Sequence, residues 1–111
     1  MLHQMRLNEE PFEKIKNKTK DIELRLYDEK RKKIKVGDEI CFTNILNGEQ
    51  LHAKVVKLHL FKSFEELYNA LDKVRIGYDK CSIPDPTDMQ KYYSKEEQKQ
   101  YGVVGIEIEV I

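Results

Sequence analysis

The chain lacks the features by which several protein classes are recognised from sequence. It has no tryptophan and only two cysteines, and Cys41 and Cys81 form neither a C-x-x-C pair nor a dense disulfide framework. No apolar run approaches the roughly 20 residues needed to span a bilayer, and nothing before Arg6 resembles a secretory leader. We therefore expect a cytoplasmic protein with reduced thiols and no role in a membrane.

Motifs for common catalytic and cofactor sites are also missing. The sequence contains no phosphate-binding glycine loop, no G-x-S-x-G elbow and no zinc-ligand spacing. The three histidines are scattered, and His52 and His59 lie seven residues apart on a predicted strand, too far apart to bind one ion. We expect neither a metal nor a cofactor.

The chain also has no excess of charge of either sign, because 20 Lys and Arg residues balance 20 Asp and Glu residues. A strongly basic domain, the simplest indication of nucleic-acid binding, is therefore absent. The distribution is nevertheless uneven: residues 14–35 hold ten basic and four acidic residues, a net charge of +6, which leaves −6 on the rest. Such a segment either orients a polyanion on one face of the protein or is an ordinary solvated surface.

What the chain does contain is enough for one core. A length of 111 residues with 40% apolar residues predicts a single domain over residues 1–111, with a shallow site and no large internal cavity. No internal repeat and no Gly/Ser-rich linker divides the chain.

The hydrophobic pattern predicts a mixture of strands and helices. Asn8 is expected to cap a short helix, and Ser63 with Glu66 and Ser94 with Glu97 are expected to form capping boxes at the starts of two more helices. Asn47-Gly48 predicts a hairpin between two strands. The alternation changes phase after Val55, which is typical of a β-bulge. The expected strands cover residues 2–7, 22–27, 39–46, 50–61 and 103–111. We predict an α+β fold, a small and mostly antiparallel β-barrel with about three short flanking helices.

The polar side chains around the second strand are the first candidate site. Glu23 and Arg25 share one face of that strand, and the preceding turn brings Lys20 close to them. A carboxylate between two cations stays ionised and can accept hydrogen bonds from a ligand. The same pattern also fits a surface ladder of weak ion pairs, which the residues alone favour over a groove.

Two tyrosines precede the helix that Ser94 is expected to cap. Tyr92 and Tyr93 can stack on a nucleobase or pack as a hydrophobic staple against their own helix. We expect one tyrosine in each role. Cys41 is interpreted as a small core residue of its strand.

An ordered set of motifs resembles the ASCH domain family. The motifs are Phe12-x-x-Ile15, Lys18-x-Lys20-x-x-Glu23-x-Arg25, Ile34-x-Val36-Gly37-Asp38-x-Ile40-x-Phe42, Phe61-x-Ser63-Phe64-x-x-Leu67 and Tyr92-Tyr93-Ser94-Lys95-Glu96-Glu97 before Tyr101-Gly102-Val103-Val104-Gly105-Ile106. The resemblance implies a PUA-like barrel whose groove holds RNA or a nucleotide, with Lys20, Glu23 and Arg25 at its floor. This moves our preference from the surface ladder to the groove. Tyr92, Tyr93 and Ser94 are the further candidate binding residues, and Lys18 and the run from Lys30 to Lys35 are expected to contact phosphate.

Some relatives in this family are small amidohydrolases that act on acetylated cytidine with a lysine, a threonine and a distant glutamate. Lys20 matches the lysine, but Glu23 stands at the position of the threonine, so the hydroxyl nucleophile is missing. Glu66 and Asp72 are both candidates for the third residue. The first hypothesis is therefore a module that binds RNA or a modified nucleotide, the second is an amidohydrolase using Lys20 and Glu23, and the third is a protein-interaction domain.

Overall fold

Five strands form one curled sheet, with three α-helices against it, in the computed structural model, which describes residues 1–111. The strands are β1 (Leu2–Leu7), β2 (Ile22–Leu26), β3 (Glu39–Asn44), β4 (Gln50–Phe61) and β5 (Val103–Val110). The helices are α1 (Glu9–Lys16), α2 (Phe64–Ala70) and α3 (Lys95–Tyr101), and two 3-10 turns cover Arg31–Lys33 and Pro86–Lys91. The predicted α+β fold is confirmed, and the helices, of which the longest has eight residues, are too short to traverse a bilayer.

The strand order, β1-β3-β4-β5-β2, leaves β1 and β2 at the two edges of the sheet. Only β1 and β3 run parallel, and the other neighbours are antiparallel. The two edges do not pair through their backbones. A side chain joins them instead, because Arg25 Nη2 in β2 donates a hydrogen bond to the carbonyl oxygen of Arg6 in β1 over 3.0 Å. The sheet is therefore a half-barrel with a narrow open seam.

Local signals in the sequence place the turn and the bend of the sheet. The turn between β3 and β4 contains Gly48 at φ +77, a left-handed conformation that favours glycine, and the amide of Gly48 donates to Asn44 O. In β4 the pairing with β5 shifts register between Val55 and Lys57. The predicted hairpin and bulge are both confirmed.

The two hydrophobic clusters explain which face of β2 reaches the seam. The larger cluster lies inside the curl and includes Phe12 and Ile15 from α1. The second cluster packs the apolar side of β2 against α2, Ile76 and Val103. Because successive side chains of a strand point to opposite faces, Glu23 and Arg25 face away from α2.

The helix caps agree fully with the sequence at one of the three predicted sites. At α1, Asn8 occupies the N-cap position with an extended backbone, but its side chain makes no capping hydrogen bond. Ser94 and Glu97 form the complete reciprocal capping box that the sequence predicts for α3. At α2, Ser63 Oγ accepts from the amide of Glu66, but the Glu66 side chain does not bond back to Ser63. The predicted second box is therefore half formed.

Candidate functional site

Lys20, Glu23 and Arg25 form an ion triad that is almost closed off from water. Lys20 Nζ lies 2.9 Å from Glu23 Oε1, and Arg25 Nε donates to Glu23 Oε2 over 2.7 Å. Lys20 is only 8% exposed and Glu23 only 4%. The structure thus brings together the three candidate residues of the sequence analysis. Lys20 and Glu23 are buried and Arg25 is partly buried, whereas an ordinary surface ladder would be exposed to water.

The chain reaches this arrangement through the turn between α1 and β2. Lys18 adopts a left-handed conformation at φ +68, and the amide of Lys20 donates to Lys14 O over 3.0 Å. These contacts turn the chain back on the end of α1 and set Lys20 just before β2. The two-residue period of the strand then places Glu23 and Arg25 on one side of it.

The triad keeps its carboxylate charged despite burial. Burial by itself would raise the pKa of Glu23, but the charges of Lys20 and Arg25 outweigh this effect and hold the pKa below its usual value. Burial would likewise lower the pKa of Arg25, but Glu23 and Tyr93 outweigh it and raise that pKa. The triad is therefore two cations and one carboxylate, with a net charge of +1.

A cleft of about 600 Å³ opens over the triad at the seam of the sheet. All three triad side chains line it, together with residues from β1 and α1, from the loop around Gly77 and from the segment that ends at Tyr93. The lining combines charged and aromatic groups, including Tyr68, Tyr78, Tyr92 and Tyr93. An ionic floor beside aromatic rings can hold a polar, planar ligand.

The loop around Gly77 is fixed closely against Lys20. Gly77 has φ +116, and a Cβ atom at this position would lie 3.2 Å from Lys20 Cδ. Lys14 Nζ donates to Gly77 O over 2.7 Å and also pairs with Glu10 and Asp79 at 3.1 and 3.4 Å. Helix α1 thereby holds this loop over the aliphatic part of Lys20.

A chain of hydrogen bonds fixes the opposite lining. The hydroxyls of Tyr68 and Tyr78 lie 3.1 Å apart, and Tyr78 donates to Asp88 Oδ2 over 2.6 Å. Burial, with a further contribution from Tyr78, raises the pKa of Tyr68, so its phenol stays protonated. This chain ties the Pro86–Lys91 turn to α2.

Tyr92 and Tyr93 both line the cleft, but Tyr93 is packed against other residues and Tyr92 is exposed. Tyr93 stacks on Phe64 with ring centroids 6.0 Å apart, and its carbonyl oxygen accepts a hydrogen bond from Gln98 Nε2. Tyr92 is 61% exposed. Tyr92 is therefore the free aromatic ring at the cleft, while Tyr93 belongs to the packed wall.

The remaining nominated residues lie elsewhere. Lys18 lines a smaller depression beside the end of β5, and Ser94 caps α3. In the basic run, Arg31 pairs with Asp28 and Lys32 with Glu29, and no residue from Lys30 to Lys35 lines the cleft. Glu66 and Asp72 are exposed and also lie outside it, and Asp72 accepts from the amides of Val74 and Arg75.

Sequence reasoning missed two unpaired cations at this site. Arg6 and Lys91 are exposed, line the cleft and form no ion pair. Each is a single basic residue at the end of an element, and neither belongs to a charge cluster or a motif. Only the curl of the sheet brings them to one opening, so no local signal could have identified them.

The histidines and cysteines lie apart from this cleft. His3 pairs with Asp38, His52 with Glu39 and His59 with Glu107, and no three potential metal ligands lie together. Cys41 is buried in β3, as the sequence predicts, and both cysteines are free thiols.

Comparison with known proteins agrees with the geometry. The family model of the ASCH domain matches residues 5–111. The chain belongs to the ASCH domain family.

Two solved structures are similar to this ASCH domain along its whole length. The crystal structure of the hypothetical protein PH0355 shares 37% identity, covers 100% of both chains and has a TM-score of 0.84. The solution NMR structure of PF0455 from Pyrococcus furiosus shares 38% identity, covers 100% of this chain and 98% of the other, and has a TM-score of 0.79. Among curated proteins, none matches the chain.

Proposed function

We propose that this ASCH domain binds RNA or a modified nucleotide in the cleft, with Lys20, Glu23 and Arg25 at its floor. The observation that carries the proposal is the buried ion triad at the base of a 600 Å³ cleft. A buried ion pair contributes little to stability compared with apolar packing, so its placement under an open cleft favours a role in ligand recognition.

The other lining residues fit the parts of a nucleotide. Tyr92 presents an exposed ring on which a base can stack. Arg6 and Lys91 stand at the cleft as unpaired, exposed cations, so we assign the phosphate contacts to them in preference to Lys18 and the Lys30 to Lys35 run. Phosphate contacts would position the strand, and contacts at the floor would select the base.

Hydrolysis of an N-acylated nucleoside, such as acetylated cytidine, is the weaker alternative. Glu23 is the only carboxylate in the triad, and its lowered pKa makes it a poor base for water. Glu66 and Asp72, the two candidates for a third catalytic residue, lie outside the cleft.

The proposal is tested with paired neutral substitutions. Lys20→Gln with Glu23→Gln removes one cation and one carboxylate from the cleft, and a glutamine at residue 23 can still accept from Arg25. The matched control is Lys16→Gln with Glu49→Gln, an exposed ion pair at 2.6 Å outside the cleft. Binding of a fluorescein-labelled, mixed-sequence single-stranded RNA is measured by anisotropy, and folding by circular dichroism.

We expect the cleft variant to lose at least about tenfold in affinity, equivalent to about 1.4 kcal/mol, and the control to bind like the unmodified protein. Equal losses in both variants would place the RNA elsewhere. If the cleft variant fails to fold, Tyr92→Ala provides the test, because Tyr92 is exposed and its ring supports no core contact. Unchanged affinity in a folded cleft variant, or in Tyr92→Ala, would overturn the proposal.

A further inference from the structure

The order of charges in the triad sets a pattern of hydrogen-bond donors and acceptors. Lys20 and Arg25 flank the two oxygens of Glu23. An ammonium has three N–H donors and a carboxylate about four acceptor positions, so each group has bonding capacity beyond the contacts within the triad. Arg25 donates from Nε to Glu23 and from Nη2 to Arg6 O, and the Tyr93 hydroxyl also lies near the guanidinium, so Nη1 is the nitrogen with donors left for a ligand. The floor therefore offers a ligand a donor, an acceptor and a donor in sequence.

A phosphate does not fit at this floor. Its negative charge would lie against the Glu23 carboxylate, which the flanking cations keep ionised. The exposed cations Arg6 and Lys91 provide a position for phosphate without a carboxylate partner of their own. Because the phosphate position is separate from the triad, the base of the nucleotide, and not its sugar-phosphate backbone, would lie against the triad.

We infer that the cleft selects a base with an imide edge, uracil or a uracil substituted at carbon 5. This inference rests on the proposed function and specifies its ligand. The Watson–Crick edge of uracil presents the O4 acceptor, the N3–H donor and the O2 acceptor, which are complementary to Lys20, Glu23 and Arg25 in that order. Each of the three groups at the floor then has a partner.

The other bases leave mismatches at the same positions. Cytosine and adenine place a ring-nitrogen acceptor opposite the Glu23 carboxylate, where two lone pairs would meet. Guanine matches Lys20 with O6 and Glu23 with N1–H, but its amino group faces the donors of Arg25. The expected order of affinity is therefore uracil, then guanine, then cytosine and adenine. Stacking on Tyr92 adds affinity without choosing among them, because every base has a π-face.

Chemically modified RNA tests the inference without altering the protein. Unlabelled hexamers of uridine, cytidine, adenosine, 5-methyluridine and N3-methyluridine compete with labelled hexauridine in an anisotropy assay. N3-methylation removes the central donor of the imide edge. The 5-methyl hexamer is the matched control, since it carries the same added methyl group with the edge intact.

We expect hexauridine and the 5-methyl hexamer to bind at least about tenfold more tightly than the cytidine and adenosine hexamers, within the range of one specific base contact. N3-methylation should abolish the preference. A uridine preference that survives N3-methylation, or equal binding of all hexamers, would overturn the inference. If that equal binding is weakened by Lys20→Gln with Glu23→Gln, the proposed function stands without the imide selectivity. If it is insensitive to that variant, or if no hexamer binds, the proposed function fails as well.

Discussion

At the scale of the residue, Glu23 is the group that joins the three charges of the triad. Its two oxygens hold Lys20 and Arg25 in fixed positions, and neither cation has another carboxylate partner within the cleft. Removing Glu23 would leave two cations next to each other at low exposure. We therefore expect the same residue to affect both the local stability and the hydrogen-bonding pattern of the floor.

We predict that Glu23→Ala destabilises the fold by about 3–5 kcal/mol at neutral pH, because breaking a buried ionic network leaves uncompensated charge. The effect should shrink in acid. The pKa of Glu23 is below 4.5 in the folded protein, so its stabilisation is present above about pH 4.5 and is lost as the pH falls toward the folded pKa.

Urea unfolding of both proteins between pH 7 and pH 3 checks this prediction. Glu49→Ala is the control, because Glu49 pairs with Lys16 at an exposed site and should change stability little. A difference between the unmodified protein and Glu23→Ala that stayed constant down to pH 3 would contradict the ionised, cation-bound state of Glu23.

The low exposure of Glu23 and Arg25 could not be deduced from the residues around them. Their alternation with Ile22, Leu24 and Leu26 correctly indicates opposite faces of a strand, but a polar face normally meets water. Here it lies under Tyr93, Gly77 and the β1 edge, which come from distant parts of the chain. The resemblance to the ASCH domain family predicted a groove at this face, whereas the local alternation of residues did not.

At the scale of the element, short-range signals were reliable where both partners lie within a few residues. The Asn47-Gly48 hairpin, the phase change in β4 and the Ser94 box each have this character. The strands β2 and β3 end earlier than predicted, at Leu26 and Asn44, because pairing with a neighbour, and not alternation, determines where a strand ends. The cap of α2 is an exception, because Ser63 and Glu66 lie three residues apart and only half of the predicted box forms.

The two capping glutamates provide a matched comparison. Glu97 accepts from the amide of Ser94 over 3.0 Å, whereas the Glu66 side chain makes no such bond. We predict that Glu97→Ala lowers the free energy of unfolding by about 1 kcal/mol, the net value of one hydrogen bond, and that Glu66→Ala has a clearly smaller effect. Thermal unfolding of both variants measures the difference, and equal losses would show that the second box also forms in solution.

At the scale of the whole molecule, folding neutralises most of the basic segment. Six of the ten basic side chains between residues 14 and 35 lie in ion pairs with acids, and Lys18, Lys30, Lys33 and Lys35 do not. The net charge of +6 on residues 14–35 therefore does not form a uniform positive face on the folded protein. Charge counted along the chain could not show this, because partners such as Glu49 and Asp79 lie outside the segment.

This charge distribution predicts a weak dependence of RNA affinity on salt. Two phosphate contacts, from Arg6 and Lys91, give a slope of log affinity against log salt of about −1.4 for a single strand, at about 0.7 per contact. Lys91→Ala should reduce the magnitude of the slope to about 0.7. Lys33→Ala, which removes the same charge from the basic run, should leave it unchanged.

Anisotropy titrations at salt concentrations between about 50 and 300 mM measure the slope for each protein. A reduced slope in Lys33→Ala would instead assign phosphate binding to the basic run. A slope several times steeper than expected would indicate many more contacts than the cleft provides.

The hydrogen bond from Arg25 to Arg6 across the seam also bears on how the protein behaves in concentrated solution. An unpaired strand at the margin of a sheet is a template on which another molecule can add a strand and begin a fibril. In this fold the two such margins face each other, and a guanidinium occupies the gap between them. We therefore expect the Arg25 side chain, which we propose to contact the ligand, also to hinder the addition of a strand from another molecule at these margins.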